Sequence, residues 1–442
     1  MVKPVFINKK IKNFNKKITI SGDKSLSIRW ALMASQAIGK SKAYNLLNSE
    51  DVLSTIKCLK KLGTKIIIKK KYCEIIGFGL NNFEYKKNLI LNAGNSGTLG
   101  RLILGLLIHY PHKVKLIGDK SLSKRDFSRV INPLKNFGAN FYQSKKSSLP
   151  LYIQGTKYVR PIKYLENKGS AQCKSTVMLA ALNTPGKTLI KAKKSRDHTE
   201  ILFKQLKIPI KIKKKKIFYL IEFEGKHNFP AFNYKIPSDI SSSAFFIVLT
   251  LLLKESKLTI KNVNLNPSRT GIITILNKMG AKIVLKNKKI YKGEKISDIF
   301  VKSIKSLKAI NCPSNLNASA IDEFLIIFLA AAKAKGISYF KNLSELNQKE
   351  SPRLKLGSKI LNMMGIKTIL TNDSIKIFGQ PNIKLDKNIE IKNYLKDHRI
   401  FMMSAIAALS FGGKWKIHDR DSIKTSFPSF LSIIKKIGGK IK

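Results

Sequence analysis

The chain has 442 residues, 43% of them hydrophobic, and a formal net charge of +58. That length exceeds what one core holds, so two or more domains are expected, and the apolar share excludes a disordered chain. Ten of the 84 basic residues are arginine and the remaining 74 are lysine, spread over the whole length without an aromatic-interleaved stripe, so the charge reads as a solvated surface rather than a nucleic-acid footprint.

The N-terminal MVKPVFINKK lacks an apolar h-region and predicts no signal peptide. GDKSLSIR (Gly22–Arg29) follows, with one glycine, two cations and two serines in eight residues, a set suited to holding an oxyanion. It leads into SLSIRWALMASQAI, which reads as a buried helix. LNAGNSGTLGRL (91–102) has the small residues of a phosphate-cradling turn at a helix entry, or of a tight helix entry without a ligand. It lacks both GK[ST] and GxGxxG, which disfavours nucleotide-triphosphate and dinucleotide sites. GDKSLSKR (Gly118–Arg125) then repeats the first octapeptide with one change.

Further along come SAQCKSTVMLAAL (170–182), SRDHTE (195–200), SDISSSAFFIVLTLLL (238–253) and PSRTG (267–271). IDEF (321–324) is expected to open a very apolar helix with Asp322 and Glu323, where acids suit the helix dipole or serve as a general base. QKESPR (348–353) groups Lys349, Glu350 and Arg353, and DHR (397–399) opens the last apolar helix. Cysteines at 58, 73, 173 and 312 show no CxxC spacing, and the six histidines form no HxxxH or His/Cys cluster; His109 and His112 are separated by Pro111. No metal site and a cytoplasmic location are therefore expected. The longest apolar runs are about half a membrane span.

A repeat organises these pieces. LKKLGTKI (59–66), LKNFGANF (134–141), FKQLKIPI (203–210), LNKMGAKI (276–283), LNMMGIKTI (361–369) and IKKIGGKI (434–441) each read as a helix end, a left-handed pivot and an apolar strand. The pivots fall at residues 63, 138, 207, 280, 365 and 438, with Lys207 in the glycine position. Each unit also holds an apolar helix opening on Ser, Asn or Asp. Three units per domain and two domains is the natural arrangement. Helix N-termini aimed at a cleft between the domains would then make an anion trap.

Taken together and in order, these segments resemble the 5-enolpyruvylshikimate-3-phosphate synthases (3-phosphoshikimate 1-carboxyvinyltransferases) from end to end. The resemblance implies an α/β fold of six βαβαββ units in two domains, with the active site in the interdomain cleft. Residues 21–240 would form one domain, and 1–20 plus 241–442 the other. It implies transfer of the enolpyruvyl group of phosphoenolpyruvate to the 5-hydroxyl of shikimate 3-phosphate, by addition and elimination through a tetrahedral intermediate. It also implies no cofactor, no specific nucleic-acid or membrane partner, and a monomer.

By position, Lys24, Ser25, Arg29, Ser170, Ala171, Gln172, Ser195, Asp322 and Lys349 are implied to bind shikimate 3-phosphate. Lys24, Asn95, Gly97, Thr98, Arg125, Gln172, Arg353 and Arg399 are implied to bind phosphoenolpyruvate. Lys24, Asp322 and Glu350 are the implied catalytic groups, with Asp322 on the 5-hydroxyl and Glu350 on the methylene proton. Gly97 occupies a position where some members carry Ala and tolerate glyphosate, so glyphosate sensitivity is expected.

Three positions depart from the family pattern. Asn347 and Pro352 replace Arg and Asp of the usual RVKESDR, and Pro352 removes a backbone donor beside Arg353. Thr425 stands where one branch carries a cleft Lys. The usual ring-stacking Tyr after the Ser195 region has no clear counterpart. The sister transferase acting on UDP-N-acetylglucosamine is the nearest rival, but it usually carries a reactive Cys in the loop matching 118–125, and here that loop has none. A lysine-rich nucleic-acid-binding protein is the rival from another class.

Overall fold

The structure is a computed structural model that describes residues 3–143 and 147–442. The chain divides into two compact units. One comprises residues up to Ser21 with Pro237–Ile290 and Lys295–Lys442; the other comprises Gly22–Ile236 with Tyr291–Glu294.

One repeat shows the local logic of all six. Strand Leu89–Asn92 leads through helix Gly97–Leu107 into strand Val114–Ile117, then through helix Ser128–Asn136 into the hairpin Asn140–Gln143 and Leu151–Gln154. The first two strands pair in parallel, as a helical crossover requires, and the hairpin adds two antiparallel pairings. Four other sheets have the same four-stranded order. Two take their leading strand from a distant part of the chain: Tyr234–Lys235 beside Ile38–Tyr44, and Asn15–Thr19 beside Lys257–Asn264.

The sixth sheet has three strands, Val5–Ile7, Gly412–Ile417 and Leu385–Ile391. The sequence repeat expects a fourth after Gly438. Instead Lys442 exchanges two backbone hydrogen bonds with Phe6, at 2.9 and 3.0 Å.

All six pivots lie in the left-handed region: φ is 88° at Gly63, 111° at Gly138, 57° at Lys207, 94° at Gly280, 83° at Gly365 and 97° at Gly438. That conformation stops each helix and turns the chain into the next strand. Lys207 adopts it without the steric freedom of glycine, at a cost of about 1–2 kcal/mol.

Three apolar helices form the centre of each unit: Lys24–Ala34, Gly97–Leu107 and Ala171–Leu182 in one, and Ile240–Leu252, Phe324–Ala332 and His398–Phe411 in the other. Each unit has its own hydrophobic core around them. In FLIIFLAAA (324–332) every residue is buried. Each large side chain there contributes about 1.5–3 kcal/mol of burial, against the entropy of ordering it. Helices Gly97–Leu107 and Ala171–Leu182 meet at Gly105, where an added Cβ would lie 2.4 Å from the Thr176 carbonyl oxygen. Only glycine admits that approach.

Five of the six helices carry a side-chain cap of the expected type: Asp23, Ser96, Ser170, Asp239 and Asp397 each accept from a first-turn N–H. The sixth differs from expectation. The segment SAIDEF does not open one continuous helix; a short helix, Asn317–Ala320, ends in a turn, and Phe324–Ala332 restarts at 120° to the preceding segment. Glu323, in that turn, is drawn into a buried hydrogen bond from Ser241 Oγ.

Candidate active site

The capped helix ends gather the polar residues into two clusters, one in each unit. In the unit containing Gly22–Ile236, Lys24 is the first residue of its helix, and its ammonium is 3.0 Å from Asp51. Arg29 lies one turn on and is buried. Its Nε donates to Thr199 Oγ1 at 2.9 Å, its Nη2 to Ser175 Oγ at 3.1 Å and its Nη1 to the Ser25 carbonyl at 3.2 Å. A guanidinium held on three atoms has a fixed aim.

Gln172, in the first turn of Ala171–Leu182, bridges to the neighbouring helix end. Its Nε2 donates to Thr98 Oγ1 at 3.0 Å, and its Oε1 accepts from Arg101 Nη1 at 2.5 Å. Arg101 also stacks over Phe127, 5.3 Å from the ring centroid. Burial pushes its pKa down, and Arg125 and Arg129 add to that. An anion brought here would relieve this crowding of positive charge.

Arg125 Nη2 donates to Asn95 Oδ1 at 3.3 Å, while Asn95 Nδ2 donates to Asp119 Oδ2 at 2.6 Å. Gly97 faces both arginines: a Cβ there would lie 2.9 Å from Arg125 Nη1 and 3.2 Å from Arg101 Nη1. Ser170 Oγ caps its helix by accepting from Cys173 N–H at 3.2 Å. Ala171 is the first residue of that helix. Ser195 Oγ is buried without a hydrogen-bond partner among the described residues.

In the other unit Arg353 organises the cluster. Its guanidinium is buried and contacts Asp397 through Nε at 2.8 Å and Nη2 at 3.2 Å. It also donates to Glu350 and stands 3.6 Å from Asp322 Oδ1. Burial opposes its charge, but Asp397, Glu350 and Asp322 together hold its pKa above the ordinary arginine range. Burial alone would likewise raise the Asp397 carboxyl, yet the guanidinium against it prevails and holds it below the usual carboxylate range.

Lys349 Nζ lies 3.6 Å from Asp322 Oδ1, and Arg399 Nη1 donates to the Asp322 carbonyl at 2.6 Å. Asp397 also accepts from Ser351 Oγ at 2.8 Å and from Arg399 N–H at 2.9 Å. Asp322, Lys349, Glu350, Arg353 and Arg399 therefore come together.

Pro352, which removes a backbone donor beside Arg353, does so at a helix entry. It occupies the N-cap position of helix Arg353–Met363, where its missing N–H has no helical partner to lose. Proline also lacks a capping oxygen, and Asn347 supplies one by accepting from Leu354 N–H at 3.1 Å. The two departures from the family pattern compensate each other. Thr425 Oγ1 is 3.4 Å from His398 Nδ1 and bonds the Ser422 carbonyl, so it carries no charge into the cluster.

Sequence reasoning did not assign four of the residues that aim the others: Ser175 and Thr199 on Arg29, Arg101 on Gln172, and Asp397 on Arg353. Asp397 had a legible signal, as the acid opening DHR at a helix entry. For the hydroxyls the sequence offered none.

Comparison with known proteins places the chain in a family. Residues 8–434 match the family model described as EPSP synthase (3-phosphoshikimate 1-carboxyvinyltransferase). A 3-phosphoshikimate 1-carboxyvinyltransferase of Ruthia magnifica subsp. Calyptogena magnifica is 40% identical, over 99% of this chain and 98% of that protein. One of Zymomonas mobilis is 36% identical, over 100% of this chain and 99% of its own. A solved structure of EPSP synthase from Acinetobacter baumannii superposes with a TM-score of 0.87 and 34% identity, covering 100% of this chain and 99% of that one. The enolpyruvyl transferase NikO from Streptomyces tendae, at 13% identity and a TM-score of 0.78 over 100% of this chain and 98% of its own, shares the fold.

Proposed function

This chain belongs to the EPSP synthase family, and we propose that its two charged clusters divide the family's reaction between them. It transfers the enolpyruvyl group of phosphoenolpyruvate to shikimate 3-phosphate in the shikimate pathway.

The cluster in Gly22–Ile236 holds the two phosphates. Arg29, Ser25, Ser170, Ala171, Gln172 and Ser195 take shikimate 3-phosphate; the buried, unpartnered Ser195 hydroxyl supports this by offering a donor to an oxyanion. Lys24, Asn95, Gly97, Thr98 and Arg125, with Gln172, take phosphoenolpyruvate. The cluster around Arg353 carries the proton transfers. Asp322 accepts the proton of the 5-hydroxyl as its oxygen adds to C2 of phosphoenolpyruvate, and Glu350 delivers a proton to C3. The tetrahedral adduct then loses phosphate from C2 as Glu350 takes a proton back from the methyl group, which restores the double bond. Lys349 contacts shikimate 3-phosphate, while Arg353 and Arg399 grip the phosphoenolpyruvate anion.

The observation that carries this reading is the convergence of two carboxylates, Asp322 and Glu350, on the buried Arg353 guanidinium. The test is Arg353→Lys. An ammonium cannot reproduce the fork held by Asp397, so kcat/KM for phosphoenolpyruvate should fall roughly 30- to 1,000-fold, about 2–4 kcal/mol. A variant with near-normal phosphoenolpyruvate kinetics removes Arg353 from the site.

The reading extends to a cytoplasmic monomer without a specific nucleic-acid or membrane partner. All four cysteines are free and buried, in keeping with a reducing compartment.

A further inference from the structure

Lys174 and Glu200 form an ion pair at 2.5 Å with side chains 0% and 3% exposed. Taking two charges out of water carries a desolvation cost that their attraction only roughly offsets, and apolar residues of similar size would hold the same space as well. Stability alone therefore does not account for the pair. Its place does.

Lys174 lies on helix Ala171–Leu182 and Glu200 on helix His198–Gln205. Their sequence neighbours Ser175 and Thr199 share a 2.7 Å hydrogen bond, and those two hydroxyls accept from Arg29 Nη2 and Nε. The ion pair thus clamps two helices beside the point where they present oxygens to Arg29. Its lysine stem is locked by burial, and the ammonium lies 6.0 Å from the centroid of the Tyr219 ring. Short hydroxyl side chains cannot follow a helix that moves away, so the spacing of the helices sets whether both bonds to Arg29 form.

We propose that Lys174 and Glu200 are positioning residues for shikimate 3-phosphate: their buried pair fixes Ser175 and Thr199, and through them the aim of Arg29. The proposal rests on the reading in which Arg29 holds that substrate.

Two variants test it while preserving a folded chain. Glu200→Asp keeps the charge but withdraws it by one methylene. The double variant Lys174→Met with Glu200→Met fills the space without charge, so neither partner is left buried alone. Steady-state kinetics should show KM for shikimate 3-phosphate raised at least tenfold in the double variant and severalfold in Glu200→Asp. KM for phosphoenolpyruvate should stay within threefold in both, with the Tm of the double variant at or above that of the unaltered chain. A double variant of unchanged Tm and unchanged KM for shikimate 3-phosphate would reduce the pair to packing and overturn the proposal. Parallel rises in both KM values, tracking a lowered Tm, would also overturn it, because that is how a merely structural role behaves. The unaltered chain is the reference: phosphate release that ignores shikimate 3-phosphate defeats the underlying reading and the pair's role with it.

Discussion

At the scale of single residues, the cation cluster in Gly22–Ile236 has little spare room around Gly97. A methyl group there meets Arg125 Nη1 at 2.9 Å and Arg101 Nη1 at 3.2 Å. Both are the far ends of flexible side chains, so alanine is accommodated by pushing the guanidinium groups aside by a few tenths of an ångström. Arg125 is among the groups proposed above to hold phosphoenolpyruvate, so under that proposal the substitution acts on binding rather than on folding. The protein with Gly97 should be inhibited by glyphosate in competition with phosphoenolpyruvate. Gly97→Ala should raise the half-inhibitory concentration at least tenfold and KM for phosphoenolpyruvate severalfold, with Tm unchanged. An unaltered protein that keeps full activity at glyphosate concentrations well above its phosphoenolpyruvate KM would contradict this.

At the scale of elements, the site depends on helix ends being brought together. Thr98 and Gln172 meet because helices Gly97–Leu107 and Ala171–Leu182 touch at Gly105. Gly105→Ala places its Cβ against backbone, 2.4 Å from the Thr176 oxygen and 3.2 Å from the Ala180 nitrogen, which no rotamer change relieves. The helices must separate, at a cost of about 1–3 kcal/mol. Chemical denaturation should show that loss, accompanied by weaker binding of both substrates; full stability in the variant would mean the helices slide rather than splay.

Elements also mark what the sequence made legible. The six pivots could be read because a single residue encodes a left-handed turn, and even Lys207 kept its spacing. The break before Phe324 could not, since the partner of Glu323 is Ser241, 82 residues away. The motif residues of the site were readable as contiguous strings. The pairings that aim them were not, even where the residue itself stood out as Asp397 did, because Thr199 meets Arg29 across 170 positions and Asp397 meets Arg353 across 44.

At the scale of the whole molecule, the +58 charge and the chemistry occupy different places. Lysines take the outer faces of the sheets: Lys187, Lys191 and Lys193 are exposed, alternating with buried Thr188, Ile190 and Ala192. Several scarce acids are buried, each against a cation: Asp51 on Lys24 and Asp397 on Arg353 within the two clusters, and Glu200 on Lys174 and Asp239 on Arg269 elsewhere. A solvated lysine coat is screened within about 8–10 Å at moderate salt, whereas the buried pairs are screened much less. The proposed reaction accordingly draws on the clusters and not on the net charge.

The most direct test is phosphate release from phosphoenolpyruvate by the purified protein, with and without shikimate 3-phosphate. Release that appears only when shikimate 3-phosphate is present is the predicted result. Folded protein that releases no phosphate, or releases it equally without the acceptor or only with UDP-N-acetylglucosamine, would contradict the account.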